Sequence, residues 1–185
     1  MTPMIRKLFI TGLLLLTVAS SPLAQSNISF PEDFTIPENK IPGNFIPEPL
    51  NDEARQAGVT KNPGIVKNPA FIGELYDNVD IAAIEALHIA MYVPKDDPDF
   101  ELGIYTIAYR SPEDLKSEME KMSMYAGSRY LFTGRYMVRV WGDSGSFEQQ
   151  VNYLADYLKQ KLSLREFFPP ANEENNMETT EVSTE

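Results

Sequence analysis

The distribution of proline constrains the fold of this chain more than any other feature of its sequence. Seven of the 14 prolines lie between residues 31 and 69, in a segment that contains "FPEDFTIPENKIPGNFIPEP". Each proline fixes its own φ, lacks a backbone N–H and favours extended geometry in the residue before it. No helical or alternating apolar pattern continues through this segment. We therefore predict an extended, proline-rich arm over residues 25–69, with a compact domain beginning near residue 70.

Large apolar residues precede four of these prolines: Phe30, Ile36, Ile41 and Ile46. A linker that only separates two domains is usually rich in glycine, serine or charge, so these side chains predict an arm that rests on a surface. The arm can rest on either of two surfaces. One is the protein's own compact domain, and the other is a partner protein that binds the arm as proline-rich segments are often bound.

Residues 1–24 have the order of a secretory signal peptide. Arg6 and Lys7 precede an apolar run from Leu8 to Ala19, and small residues follow up to Ala24. This order is typical of signal peptides, and the run is shorter than the roughly 20 residues of a membrane-spanning helix. The sequence therefore predicts a periplasmic or secreted protein that is not integral to the membrane once processed.

Composition excludes several classes of function. The chain has no cysteine, which excludes disulfide bonds and thiolate catalysis. Its net charge is −11, and removal of Arg6 and Lys7 with the signal peptide would make it more acidic. Because phosphate groups repel such a chain, we do not expect nucleic acid as a partner. We expect no cofactor, and we expect the partner to be another envelope or secreted protein.

Residues 70–168 carry the pattern of one α+β domain. Strands rich in β-branched and aromatic residues predict a first hairpin over residues 87–110 and a second over 130–141, and a helix follows each hairpin. This order predicts a small four-stranded antiparallel sheet built from two hairpins, a ββαββα core, with the helices packed mainly on one face. Residues 169–185 are acidic and polar, which predicts a disordered tail.

The two helices that follow the hairpins have clear sequence signals. Ser111 and Pro112 form a helix start, and Gly127 is the predicted end of that helix. The last helix is predicted from about Ser146 to Leu162, because its apolar residues repeat at helical spacing.

The second hairpin contains the candidate binding surface. A two-residue turn at Thr133-Gly134 would direct one apolar face toward the helices and leave the other face open. The side chains of this other face are Tyr130, Phe132, Arg135, Arg139 and Trp141. Arginine and aromatic residues are enriched at binding hot spots. The arm is expected to cover at least part of this face, and a partner protein or an anionic ligand is the alternative.

The string "GDSGS" (residues 142–146) resembles the nucleophile motif of chymotrypsin-like serine proteases, with Ser144 at the position of their serine. The resemblance is confined to these residues. It implies an upstream histidine and a buried aspartate, but the single histidine, His88, lies inside a predicted strand. We therefore predict that Ser144 or Ser146 caps the last helix, and that His88 is packed or hydrogen-bonded in its strand.

Four carboxylates crowd the loop of the first hairpin: Asp96, Asp97, Asp99 and Glu101. Oxygen ligands of this kind can bind Ca²⁺, but the loop lacks the alternating ligands and the central glycine of a known calcium loop. A solvated acidic turn is the favoured interpretation, and a weak calcium site is the alternative.

Three functions follow from these patterns. The first is an exported soluble bacterial accessory or binding protein without catalytic activity, which acts through an interface formed by the arm and the second hairpin. The second is a module that binds a small molecule or anion through Arg135, Arg139 and Trp141. The third and weakest is a hydrolase that uses Ser144.

Overall fold

The computed structural model of the protein describes residues 28–56, 58–75 and 79–169. The predicted signal peptide and all but the first residue of the predicted acidic tail lie outside these ranges. The strands of the described part are β1 (Phe45–Pro47), β2 (Gly64–Val66), β3 (Ile84–Pro94), β4 (Leu102–Tyr109), β5 (Ser128–Thr133), β6 (Tyr136–Gly142) and β7 (Arg165–Phe167). Its α-helices are α1 (Asp52–Gln56), α2 (Pro69–Leu75), α3 (Pro112–Met119) and α4 (Glu148–Leu162). Short 3₁₀ turns occupy Glu32–Phe34, Glu38–Lys40, Ile81–Ala83 and Gly145–Phe147.

These seven strands form one antiparallel sheet in a mixed α+β fold. The strand order is β1-β3-β4-β6-β5-β7, and β2 pairs with β3 on the same edge as β1. The prediction of a small four-stranded sheet is therefore wrong. The two predicted hairpins supply the central strands β3, β4, β6 and β5, but three short strands extend both edges. Each of these has only three residues, too few for an alternating pattern, and each is held by backbone hydrogen bonds to a distant strand.

Helices cover both faces of this sheet, so the expectation that they collect mainly on one face is also wrong. On one face, here called the α4 face, α4 packs on the apolar side chains of the central strands. On the opposite face, here called the aromatic face, side chains of α2 and α3 belong to a second buried cluster. All eight residues of β4 are buried, because both of its faces are covered.

The arm contributes to both clusters. Phe34, Ile36 and Phe45 are buried on the α4 face beside α4. Val59 and Val66 are buried on the aromatic face. The side chains between the prolines are thus part of the protein's own core, and the free energy of their burial stabilises the central strands.

The turn of the second hairpin lies one residue later than predicted. Thr133 pairs with Tyr136 and Phe132 with Met137, so the turn residues are Gly134 and Arg135. Gly134 has a φ of 53°, a left-handed conformation that glycine adopts without strain. The pairing changes by an even number of residues, and side chains alternate with a period of two. The predicted division of this hairpin into two faces is therefore retained.

The start of α3 is confirmed and its predicted end is wrong. The side-chain oxygen of Ser111 accepts a hydrogen bond from the Asp114 backbone N–H, and Pro112 occupies the first turn. The helix ends at Met119 rather than near Gly127, which has a φ of 70° and directly precedes β5. The last helix is confirmed, with a 3₁₀ turn over Gly145–Phe147 before α4.

Candidate functional site

A pocket opens on the aromatic face where the arm crosses the ends of β3 and β4. It has a volume of about 270 Å³ and is here called the acidic pocket. The arm lines one side with residues 48–51, Ala54 and Asn62. Phe71 of α2, Ile89 and Met91 of β3, Tyr105 of β4 and the adjoining Glu101 line the remainder. The pocket therefore combines two carboxylates with an apolar and partly aromatic wall, a composition typical of small-ligand sites.

Asn62 fixes the arm against the sheet at this pocket. Its side-chain amide donates to the backbone oxygens of Met91 (2.7 Å) and Glu48 (2.9 Å). Its Oδ1 accepts from the Met91 backbone N–H at 3.0 Å. The Glu48 N–H in turn donates to the Met91 oxygen at 2.9 Å. One side chain thus joins β3 to the residue that follows β1, which sets the position of Glu48 in the pocket.

The two carboxylates of the pocket are electrostatically unfavourable in their ionised form. Burial raises the pKa of Glu48. Burial also raises the pKa of Glu101, and the nearby charges of Glu48 and Asp143 raise it further. Neither glutamate forms an ion pair with any described residue. A bound cation would relieve both effects, because it favours the charged form of each carboxylate.

Tyr105 lines this pocket, and Trp141 of the second hairpin packs against it; these two rings are here called the aromatic wall. Their ring centroids are 5.8 Å apart in an edge-to-face arrangement. The Trp141 ring lies over Gly103, where a Cβ atom would overlap it. Gly103 is thus the residue that lets the indole lie flat on β4. Burial raises the pKa of Tyr105 to about 12, so its hydroxyl stays protonated at neutral pH.

Arg139 lies next to this wall, inside a group of aromatic rings here called the arginine cage. Its guanidinium carbon is 4.6 Å from the ring centroid of Tyr125, 5.8 Å from that of Trp141 and 5.9 Å from that of Tyr130. Its Nε donates to Ser128 Oγ at 3.1 Å. These contacts fix the guanidinium group through cation–π attraction and one hydrogen bond.

The structure brings together three of the five predicted binding residues. Arg139, Trp141 and Tyr130 meet in the arginine cage, although Tyr130 is fully buried beneath it. Arg135 lies at the turn, where it forms an ion pair with Glu85 and donates to the Tyr109 carbonyl. Phe132 also lies outside the cage, beneath the guanidinium group of Arg165 at 4.5 Å.

Ser144 has the capping role that the sequence predicts. Its Oγ accepts from the Ser146 N–H and lies 2.8 Å from Ser146 Oγ, at the start of the 3₁₀ turn before α4. It also borders a second pocket, of about 320 Å³, together with Arg129 and Asn152. Arg129 is occupied by ion pairs to Asp156 and Glu166. No described histidine or carboxylate is hydrogen-bonded to Ser144, whose hydrogen-bond partner is Ser146.

His88 is buried on the α4 face, with 2% of its surface exposed. The Phe30 ring packs edge-on against it at 6.4 Å, and its Nδ1 has no hydrogen-bond partner among the described residues. Burial lowers the pKa of His88 to about 4, so the imidazole is neutral at pH 7.

The four acidic residues considered for calcium do not converge. Asp96, Asp97 and Asp99 are exposed in the loop between β3 and β4, whereas Glu101 borders the acidic pocket. Across the described ranges, no three histidine, aspartate or glutamate side chains are grouped so that they could hold a metal ion.

Comparisons with known proteins do not add to this description. No family model, no curated protein and no solved structure matches the chain. Within the described ranges, no helix is both long enough and apolar enough to cross a membrane.

Sequence reasoning missed the acidic pocket. Glu48, Asn62 and Tyr105 belong to separate segments that only the fold brings together, and in the sequence Glu101 belongs to the acidic loop of the first hairpin. The available signal was a glutamate flanked by prolines, Pro47 and Pro49, in a segment otherwise recognised by its apolar residues.

Proposed function

We propose that this protein is an exported binding protein without catalytic activity, which recognises organic cations through the acidic pocket. The cation is an ammonium or guanidinium group, carried by a small amine or by a basic side chain of a partner protein. The observation that carries the proposal is the pair Glu48 and Glu101, two carboxylates without an ion pair to any described residue, in a pocket with aromatic walls. Aromatic faces and carboxylates are the groups that bind organic cations in proteins.

The arm and the sheet share this site. Glu48 comes from the arm and Glu101 from the start of β4, so the pocket exists only where the arm lies on the sheet. This supports an exported accessory protein whose binding surface includes the arm, as the sequence predicts. The wall contributed by Trp141 places the second hairpin next to the same surface.

The test measures binding of cadaverine and agmatine to the purified protein by calorimetry. Trp141 is the single tryptophan of the chain, so its fluorescence provides a second readout close to the pocket. We expect Glu48→Gln and Glu101→Gln each to weaken binding by about tenfold or more, the usual range for loss of a charge-assisted contact. Asp97→Asn removes one negative charge from the neighbouring exposed loop and serves as the matched control.

A blocked peptide, acetyl-Gly-Lys-Gly-amide, distinguishes the two sources of the cation, a small amine and a basic side chain of a partner protein. Tighter binding of this peptide than of cadaverine would indicate a basic side chain of a partner protein, whereas the reverse order would indicate a free amine. The proposal is contradicted if none of the three probes binds, or if Asp97→Asn weakens binding as much as Glu48→Gln does.

A further inference from the structure

Arg139 places a fixed positive charge one strand away from the acidic pocket. Arg139 and Tyr105 are direct partners in the pairing of β6 with β4, and both side chains lie on the aromatic face. Neighbouring strands are about 4.8 Å apart. Tyr105 lines the pocket, while its ring contacts Trp141, which in turn borders the guanidinium group of Arg139. The pocket and the arginine cage therefore adjoin through the contacting rings of Tyr105 and Trp141.

The guanidinium group retains free capacity for an anion. Among the described residues, Arg139 has no ion pair, and its one hydrogen-bond acceptor is Ser128 Oγ, which accepts from the Nε–H group. The N–H groups of its two terminal nitrogens are left for another acceptor. Arg139 is also half-buried rather than sealed off, so a small ligand can reach it. A planar guanidinium group binds a carboxylate through two parallel hydrogen bonds.

Arg135, on the same hairpin, is an arginine whose guanidinium group already has protein acceptors. Its guanidinium group forms an ion pair with Glu85 and donates to the Tyr109 carbonyl. Arg135 also lies near one aromatic ring, that of Tyr136, whereas Arg139 lies near three, those of Tyr125, Tyr130 and Trp141. Aromatic rings orient a guanidinium group without neutralising its charge, which leaves the attraction for an anion intact.

We infer that the ligand carries a carboxylate as well as a cation, separated by a short aliphatic chain, as in lysine or arginine. This inference rests on the proposed function and names the ligand class of the same site. Glu48 and Glu101 bind the ammonium or guanidinium group, the Tyr105–Trp141 wall contacts the aliphatic chain, and Arg139 binds the carboxylate. Such a molecule is available as the free amino acid or as the C-terminal residue of a peptide.

The test compares each amino acid with the amine that lacks only its carboxylate. Binding of lysine and cadaverine, and of arginine and agmatine, is measured by calorimetry and Trp141 fluorescence on the purified protein. We expect each amino acid to bind about tenfold or more tightly than its decarboxylated partner, since the difference is one charge-assisted contact. We expect Arg139→Gln to abolish this preference while cadaverine and agmatine still bind. Arg135→Gln, on the same hairpin, should retain the preference.

Two peptides distinguish the sources of the carboxylate. Gly-Gly-Lys binding at least as tightly as lysine would support a peptide C-terminus, and a clear preference for lysine would support the free amino acid. Gly-Gly-Lys-amide lacks the carboxylate and should lose the advantage of Gly-Gly-Lys.

The two proposals fail in different ways. Equal binding of lysine and cadaverine by the unmodified protein would overturn the inference, while loss of cadaverine binding in Glu48→Gln would still support the proposed function. Absence of binding by every cation would overturn both. Equal loss of the lysine preference in Arg135→Gln and Arg139→Gln would also overturn the role assigned to Arg139.

Discussion

Protonation of His88 is expected to destabilise the fold as the pH falls below 6.5. The imidazole is buried on the α4 face beneath Phe30, and burial lowers its pKa from 6.5 to about 4. The charge of Glu32 partly opposes this effect, and that of Lys61 adds to it. Between these two pKa values the unfolded chain binds a proton that the folded protein does not bind. The stability that depends on a neutral His88 is therefore fully present above pH 6.5 and is lost progressively as the pH falls toward 4.

The two pKa values set the size of this loss. With 6.5 in the unfolded chain and about 4 in the folded protein, the free energy of unfolding falls by about 2 kcal/mol at pH 5. It falls by about 3 kcal/mol at pH 4. Other groups also change their pKa on folding: burial raises the pKa of Glu48 and of Glu101, and the hydrogen bond from Arg129 lowers that of Glu166. The contribution of His88 must therefore be measured against a variant that lacks only its titration.

The assay is urea unfolding at half-unit steps from pH 7.5 to pH 4.5, on the unmodified protein and on His88→Gln. The difference in unfolding free energy between the two should change by about 2 kcal/mol between pH 7.5 and pH 5, with the unmodified protein losing more stability. His88 is the single histidine of the chain, so its imidazole resonances give the folded-state pKa directly by NMR. A measured pKa of 6 or above, or a difference that does not change with pH, would contradict a buried and neutral His88.

Four further substitutions test the placement of the arm, the aromatic wall and the charge of the acidic pocket. Asn62→Ala removes three hydrogen bonds to the Glu48 and Met91 backbone, and urea unfolding should show a loss of about 2 to 3 kcal/mol, with weaker cadaverine binding as a result. Phe34→Ala empties a position that is fully buried on the α4 face and should cost about 3 to 4 kcal/mol; a cost below 1 kcal/mol would contradict the placement of the arm in the core. Gly103→Val should displace the indole of Trp141 and shift its fluorescence emission to longer wavelength, whereas Gly43→Ala, where a Cβ atom meets nothing, should leave the emission unchanged. Glu48→Gln should raise the free energy of unfolding at pH 7 by a few tenths of a kcal/mol while it weakens cation binding, because it removes a like charge close to Glu101; lower stability at pH 7 would contradict the assignment of a raised pKa.

Local patterns in the sequence determined the elements whose signals lie within a few residues. Ser111 and Pro112 specify the start of α3, and Ser144 caps the turn before α4. The alternation along the second hairpin assigned its two faces correctly even though the turn lies one residue later, because a register change of two residues preserves the alternation. Arg139 and Trp141 were recognised as neighbours on one face for the same reason.

The width of the sheet and the position of the candidate site depend on contacts between distant segments of the chain. Strands β1, β2 and β7 are too short to show a period, and they exist because the edges of β3 and β5 offer backbone groups that need partners. The arm is a similar case. The proline pattern predicted that the arm rests on a surface, but it could not specify which face of the sheet each apolar side chain would contact. Glu48 and Glu101 come together because Asn62 fixes the arm to β3, a contact between distant segments that no local pattern encodes. Short-range sterics and capping depend on neighbouring residues, whereas the side chains that form a pocket come close together only after the chain has folded.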